Sequence, residues 1–225
     1  MESGTENHFE SDLSFDSWVR HVFDHPVSKP EWYFGDRTEP WADEQQKILG
    51  YMTRLFEAPE FLMQVYSRSQ VGEGLWFLAG VSASEYVWFL HEARVPWSIR
   101  YRTISSIPVL FERLFVQQCG DTLGHLDQTG DDLLNMCCYM WWDIFSTRPG
   151  KPEPRFTDAF LEAMASVLSL PSEACQESAL HGLGHEQSEC PDRVARIVDS
   201  FLDQQPDMSA ELRHYALRAR GGGVL

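Results

Sequence analysis

RVARIVDSFLDQ, residues 193–204, places Val194, Ile197, Val198, Phe201 and Leu202 at i, i+3, i+4, i+7 and i+8. Side chains so spaced line one face of a helix, whose period is about 3.6 residues; a strand, with a period of two, would scatter them over both faces. Similar stripes flank this stretch. Phe160, Leu161, Met164 and Leu168 form one before it, and Leu212, Tyr215, Ala216 and Ala219 form another after the break at Pro206. Further back, Ile48, Met52, Leu55 and Phe56 keep helical spacing in DEQQKILGYMTRLFEAP, with acids at its start and Pro59 closing it.

Three more segments read as helices. EFLMQVYSRSQVGEGLWFLAG continues through Leu62, Val65 and Tyr66, with a break expected near Gly72 and Gly74. SASEYVWFLHEA opens with Ser82 and Glu85 three apart, the spacing of a capping box. TGDDLLNMCCYMWWDIF opens in the same way with Thr129 and Asp132, and is apolar nearly all round from Leu133 to Phe145, which predicts burial on several sides. Trp76, Trp88, Trp141 and Trp142 lie within these patterns and are expected in the core. Strand-like alternation never lasts more than a few residues. The fold class is therefore all-α. Short loops marked by Pro, Asp and Gly favour antiparallel helix pairs in an irregular HEAT/ARM-like stack, with a compact helical bundle as the alternative.

The organisation expected is an acidic disordered leader at 1–13, a single helical domain at 14–220 and a flexible tail at 221–225. His25 to Trp41 holds three prolines, so it cannot be one regular element. Its Trp32, Tyr33, Phe34 and Trp41 predict an ordered aromatic loop, at 25–42, pinned on the core. Ser146 to Phe156 is the only linker-like stretch. In the ALRARGGGVL tail, Gly221 reads as a helix C-cap, with Arg218 and Arg220 at the negative end of the helix dipole.

Charge narrows the function. The formal net charge is −16, from 34 acidic against 18 basic residues. Such a balance argues against binding phosphates of nucleic acid or of anionic membranes, and would speed encounter with a basic protein partner. The first residues, MESGTENHFESD, have neither the basic start nor the apolar run expected of a signal peptide, and the longest apolar run, from Leu75, is too short for a bilayer. Cys119, Cys137, Cys138, Cys175 and Cys190 form no disulfide-like framework and no CxxC, which suits reduced thiols in the cytoplasm.

Candidate chemistry concentrates in SALHGLGHEQSECP, residues 178–191. On a helix beginning near Pro171, Cys175, Ala179 and Leu183 share one face, and His181 and His185 lie one above the other roughly opposite. Two imidazoles at i, i+4 can hold one metal ion, with Glu186, Cys190 or His214 as further ligands. The helical zinc-hydrolase pattern needs Glu directly after the first His, and Gly182 stands there. The expectation is therefore no metal and no cofactor: the histidines serve interhelical hydrogen bonds, and the two glycines allow close helix approach. His21 and His25 repeat the spacing, but in an elongated stack would lie near the opposite end. Cys119 with His125 could be drawn as a nucleophile and base, although a structural thiol is the commoner reading. There is no P-loop, nucleophile elbow or dinucleotide fingerprint.

His91-Glu92 and His185-Glu186 resemble the His-Glu dipeptides of iron-dependent HEAT-repeat hydroxylases, but stand here in dissimilar contexts. HVFDHPV with EWYF, CCYMWWDIF, and CQESALHGLGH followed by RVARIVDSFL resemble a family of uncharacterised bacterial proteins over about Trp18 to Gly221. The last third is similar to HEAT-like repeats of the phycobilisome-lyase type. The resemblance implies the fold and a bacterial cytoplasmic setting, and carries no catalytic residue. The function expected is a protein–protein interaction module, an adaptor or an immunity-type binder of a basic partner. A metal-dependent enzyme using the His pair and a structural or small-ligand-binding helical domain are the alternatives.

Overall fold

The computed structural model describes residues 13–34, 44–145 and 153–224. Among them every regular element is helical and no strand occurs. The all-α expectation holds. The α-helices are α1 (Leu13–Phe23), α2 (Gln45–Glu57), α3 (Leu62–Val65), α4 (Arg68–Ala79), α5 (Trp97–Ser105), α6 (Ile107–Leu110), α7 (Val116–Cys119), α8 (Leu133–Phe145), α9 (Pro154–Leu168), α10 (Glu173–Glu186), α11 (Pro191–Gln204) and α12 (Ala210–Arg220). A π-helical turn, Phe111–Phe115, joins α6 to α7.

The helices pack as two rows. In the first, α1 lies on α4, α4 on α8, α8 on α10 and α10 on α12; in the second, α2 lies on α5, α5 on α9 and α9 on α11. Helix α10 also touches α7, α9 and α11, so it joins the rows. One continuous apolar core runs through both, from Phe15 in α1 to Val224 beyond α12. Trp18, Trp141 and Trp142 are wholly buried in it, while Trp76 and Trp88 are half-buried.

Side-chain caps explain four of the helix starts. Ser67 caps α4 in a complete capping box with Gln70. Ser172 and Ser209 cap α10 and α12 through the amides of Cys175 and Leu212. Asp132 Oδ1 accepts from Leu134 N at 3.0 Å and Asn135 N at 3.1 Å, so it alone takes the capping role expected of Thr129 and Asp132 together. Arg68 Nε donates to the other oxygen of Asp132 at 2.6 Å and ties α4 to α8.

Three expectations need correction. Helix α4 runs unbroken through Gly72 and Gly74, because these glycines serve close contact and do not end a helix. A Cβ on Gly72 would lie 2.6 Å from the backbone nitrogen of Leu134 in α8. Ser82 and Glu85 form no capping box: Glu85 takes a left-handed conformation (φ 62°), and Tyr86–Leu90 is a short 3-10 helix. The tail is folded back: Arg218 Nε donates to Gly223 O at 2.8 Å, and Val224 is buried against α10.

In the described part of the aromatic loop Trp32 and Tyr33 pack on the core, whereas Phe34 is exposed. The His25 ring stacks on Trp32 at 3.7 Å, and Trp32 and Tyr33 both pack on Phe77 of α4. Residues 1–12, Trp41 and most of Ser146–Phe156 lie outside the described residues.

Candidate metal centre

Helix α10 is buried on almost every side. From Ala174 to Glu186, His185 alone is exposed. Its glycines make that possible. A Cβ on Gly182 would come within 2.5 Å of Trp142 Cβ and 2.8 Å of Met164 Sδ, and one on Gly184 within 2.4 Å of Val224 Cγ2. Both glycines are packing constraints inside the helix, as the sequence reading expects.

His181 and His185 share one side of α10. Their Nε2 atoms face each other at 3.1 Å. The Asp143 carboxylate, from α8, lies 3.7 Å from His185 Nε2, and the three ligand atoms fall within 4.8 Å of one another. Among the described residues this is the one group of three or more His, Cys, Asp or Glu side chains placed to hold an ion. Glu186, Cys190 and the His91-Glu92 dipeptide are not in it. His214 is exposed beside the buried Tyr215. Three ligands come together, and the third is a residue that the sequence reading overlooked.

The buried histidine is held from behind. His181 Nδ1 lies 2.7 Å from the Tyr215 hydroxyl of α12, which lies 3.2 Å from the Tyr139 hydroxyl of α8. This is the expected interhelical hydrogen bond. It leaves Nε2 of His181 turned toward His185, and when Nδ1–H donates to Tyr215 the Nε2 lone pair is free to ligate. Burial, and then the neighbouring His185, lowers the His181 pKa to about 4. The ring is therefore neutral near pH 7, the form that binds metals. Burial, with Tyr139 beside it, raises the Tyr215 pKa, so Tyr215 keeps its proton.

Beneath this row lies a second polar pair. Glu177 of α10 is fully buried and accepts from Gly124 N at 2.6 Å, from His125 N at 3.1 Å and from the His125 ring. Burial pushes its carboxyl pKa up, and the hydrogen bonds from His125 and Gly124 offset only part of that. The His125 ring stacks on Tyr215 at 4.4 Å. His125 is thus no partner for Cys119, whose Sγ faces the Leu134 carbonyl. All five cysteines are free, and only Cys190 is not fully buried.

His21 and His25 make no comparable group. His25 Nε2 lies 2.7 Å from the His21 carbonyl and its ring supports Trp32. In their row α1 and α10 are separated by α4 and α8, and Tyr33, in the loop after α1, lines the same cleft as His185. That cleft, about 530 Å³, has Asp143 and His185 on its wall. A lone acid in LLNMCCYMWWDIF, otherwise free of charge, was the available signal for Asp143. Tyr215 and Glu177 left none, since a Tyr in an apolar stripe and a Glu in a helix are ordinary.

No protein-family model matches the chain, and neither does any curated protein or any solved structure.

Proposed function

We propose that the protein binds a divalent first-row transition-metal ion through His181, His185 and Asp143, and uses it on a small ligand that enters the adjoining cleft. The convergence of the three ligand atoms from two helices carries this reading. Ligands about 2.0–2.1 Å from a tetrahedral zinc ion lie about 3.3 Å apart. Two of the three separations, 3.1 Å and 3.7 Å, bracket that value, and all three lie within 4.8 Å. Structural zinc sites are closed by four protein ligands, whereas three leave a position for water or substrate. Two imidazoles and a carboxylate also suit iron or manganese. The hydrogen bond from His181 to Tyr215 supplies the ring-orienting partner that metal-binding histidines normally have.

The test is titration of chelator-stripped protein with Co²⁺, followed by visible absorption and calorimetry. About one equivalent should bind, and His185→Ala and Asp143→Asn should each weaken binding at least about tenfold. Both side chains are partly exposed, so both variants should keep the wild-type circular dichroism. Uptake no greater than that of the double variant would overturn the proposal.

A second reading is favoured by the −16 charge: a module of the bacterial cytoplasm that binds a basic protein partner. Among the described residues no helix is long and apolar enough to cross a membrane. Capture of a basic partner whose association slows steeply with salt would support this reading, and association indifferent to salt would count against it.

A further inference from the structure

His181 has a lone pair on Nε2 only in the tautomer that carries its proton on Nδ1. The Tyr215 hydroxyl lies 2.7 Å from Nδ1 and 3.2 Å from the Tyr139 hydroxyl, and among the described residues it has no other hydrogen-bond partner. Tyr215 is 1% exposed and keeps its proton. It has one hydrogen to give, and a buried donor left unbonded costs the full loss of its hydration. It therefore gives that hydrogen to one of these two neighbours.

Two proton arrangements remain. In the first, His181 Nδ1–H donates to Tyr215 and Tyr215 donates to Tyr139. In the second, Tyr139 donates to Tyr215, Tyr215 donates to Nδ1, and the imidazole proton sits on Nε2. The outer end of the row favours the first. The Asp143 carboxylate, 3.7 Å from His185 Nε2, draws a hydrogen to that nitrogen, which lies 3.1 Å from His181 Nε2 and needs its lone pair.

One turn holds both tyrosines in place. A Cβ on Gly124 would come within 2.3 Å of Tyr139 Cγ, so only glycine lets that ring lie so close, and the His125 ring stacks on Tyr215 at 4.4 Å. The buried Glu177 anchors the turn by accepting from Gly124 N at 2.6 Å and from His125 N at 3.1 Å.

We propose that Tyr139 is a positioning residue that sets the tautomer of His181: its hydroxyl accepts from Tyr215, so that Tyr215 accepts from Nδ1 and Nε2 keeps its lone pair. The use of that lone pair rests on the metal reading; the tautomer does not. Without the Tyr139 hydroxyl, Tyr215 has a single acceptor left, His181 Nδ1, and the imidazole proton must move to Nε2.

The test is nitrogen-15 magnetic resonance of the histidine rings in the full chain, stripped of metal by a chelator, near pH 7, where His181 is neutral. Wild type should carry the His181 proton on Nδ1, and Tyr139→Phe should carry it on Nε2. Phe keeps the ring against Gly124 and His181, so the variant should retain the wild-type circular dichroism. Adding Tyr139→Phe to Tyr215→Phe should change nothing further, because the effect passes through Tyr215. In a Co²⁺ titration, Tyr139→Phe should weaken binding about tenfold or more. A proton on Nε2 in wild type, one tautomer in both proteins, or a Co²⁺ affinity of wild type unmoved by Tyr139→Phe overturns the inference and leaves the metal site standing. Absence of Co²⁺ uptake by wild type overturns the metal reading alone, and the tautomers then decide this inference.

Discussion

Helices α10 and α11 have the same length and adjoin in the chain, yet they sit in the molecule in opposite ways. Helix α11 buries Val194, Val198 and Phe201 and turns Asp192, Arg196 and Asp199 outward, so its pattern and its place agree. Helix α10 shows hardly any pattern. Its small and polar residues are nearly all buried, because α8, α9, α11 and α12 surround it. A strong apolar stripe marks a helix at the rim. A helix of mixed residues with two interior glycines is at the centre, where polar side chains must find partners in the protein. The candidate site lies there for that reason: only a surrounded helix can have a buried His fixed by one neighbour while a second neighbour contributes a carboxylate.

The contrast can be broken first at the α8–α10 centre. Trp141 is fully buried between Phe56, Phe111, Phe115 and Phe145. Trp141→Ala should destabilise the protein by about 3–5 kcal/mol in chemical denaturation, from lost burial and the cavity left behind. A change within experimental noise would mean that α8 is not central.

A smaller effect tests the close approach itself. In a helix interior, Gly→Ala ordinarily gains about 1 kcal/mol. At Gly182 the added methyl would meet Trp142 near its backbone, where little can yield, and overpacking costs about 1–3 kcal/mol or more. Gly182→Ala should therefore be net destabilising, by about 1–2 kcal/mol. A rise in melting temperature would show that α10 stands further from α8 than described.

The smallest effect concerns the cap of α8. Burial alone would raise the pKa of Asp132, but the hydrogen bond from Arg68 and the amides of Asn135 and Leu134 outweigh it and hold the carboxyl below its ordinary value. Its stabilisation is thus complete above the unfolded-state pKa, near 3.9, and is lost as pH falls through the lower folded value. Asp132→Asn keeps a capping oxygen and removes the charge. At pH 6 the variant should be less stable than wild type by about 1 kcal/mol, and the gap should close as the pH approaches 2. A gap independent of pH would assign the effect to the cap and not to its charge.

How much was legible follows residue by residue. The stripe from Val194 to Leu202 announced α11, and the two glycines of HGLGH announced a close contact, although not with what. The pairing of His181 with His185 was visible, because i, i+4 is local. Asp143 was not visible as their partner, since nothing in a sequence says which turn of α8 faces which turn of α10. Glu85 misled, because the capping-box spacing of Ser82 and Glu85 is satisfied on paper by a chain that in fact turns left-handed there.

The sequence by itself determined that the chain is all-α, where most of its helices lie, that it is strongly acidic and that two imidazoles share a helix face. These follow from short-range periodicity, local capping and charge counting. Only the tertiary structure decided that α10 is enclosed, that Asp143 completes a trio, that Tyr215 holds His181 and that the N-terminal aromatic loop walls the cleft beside His185. Those contacts join residues far apart in the chain. They depend on how side-chain volumes interlock when the two rows of helices pack, and no local pattern encodes that.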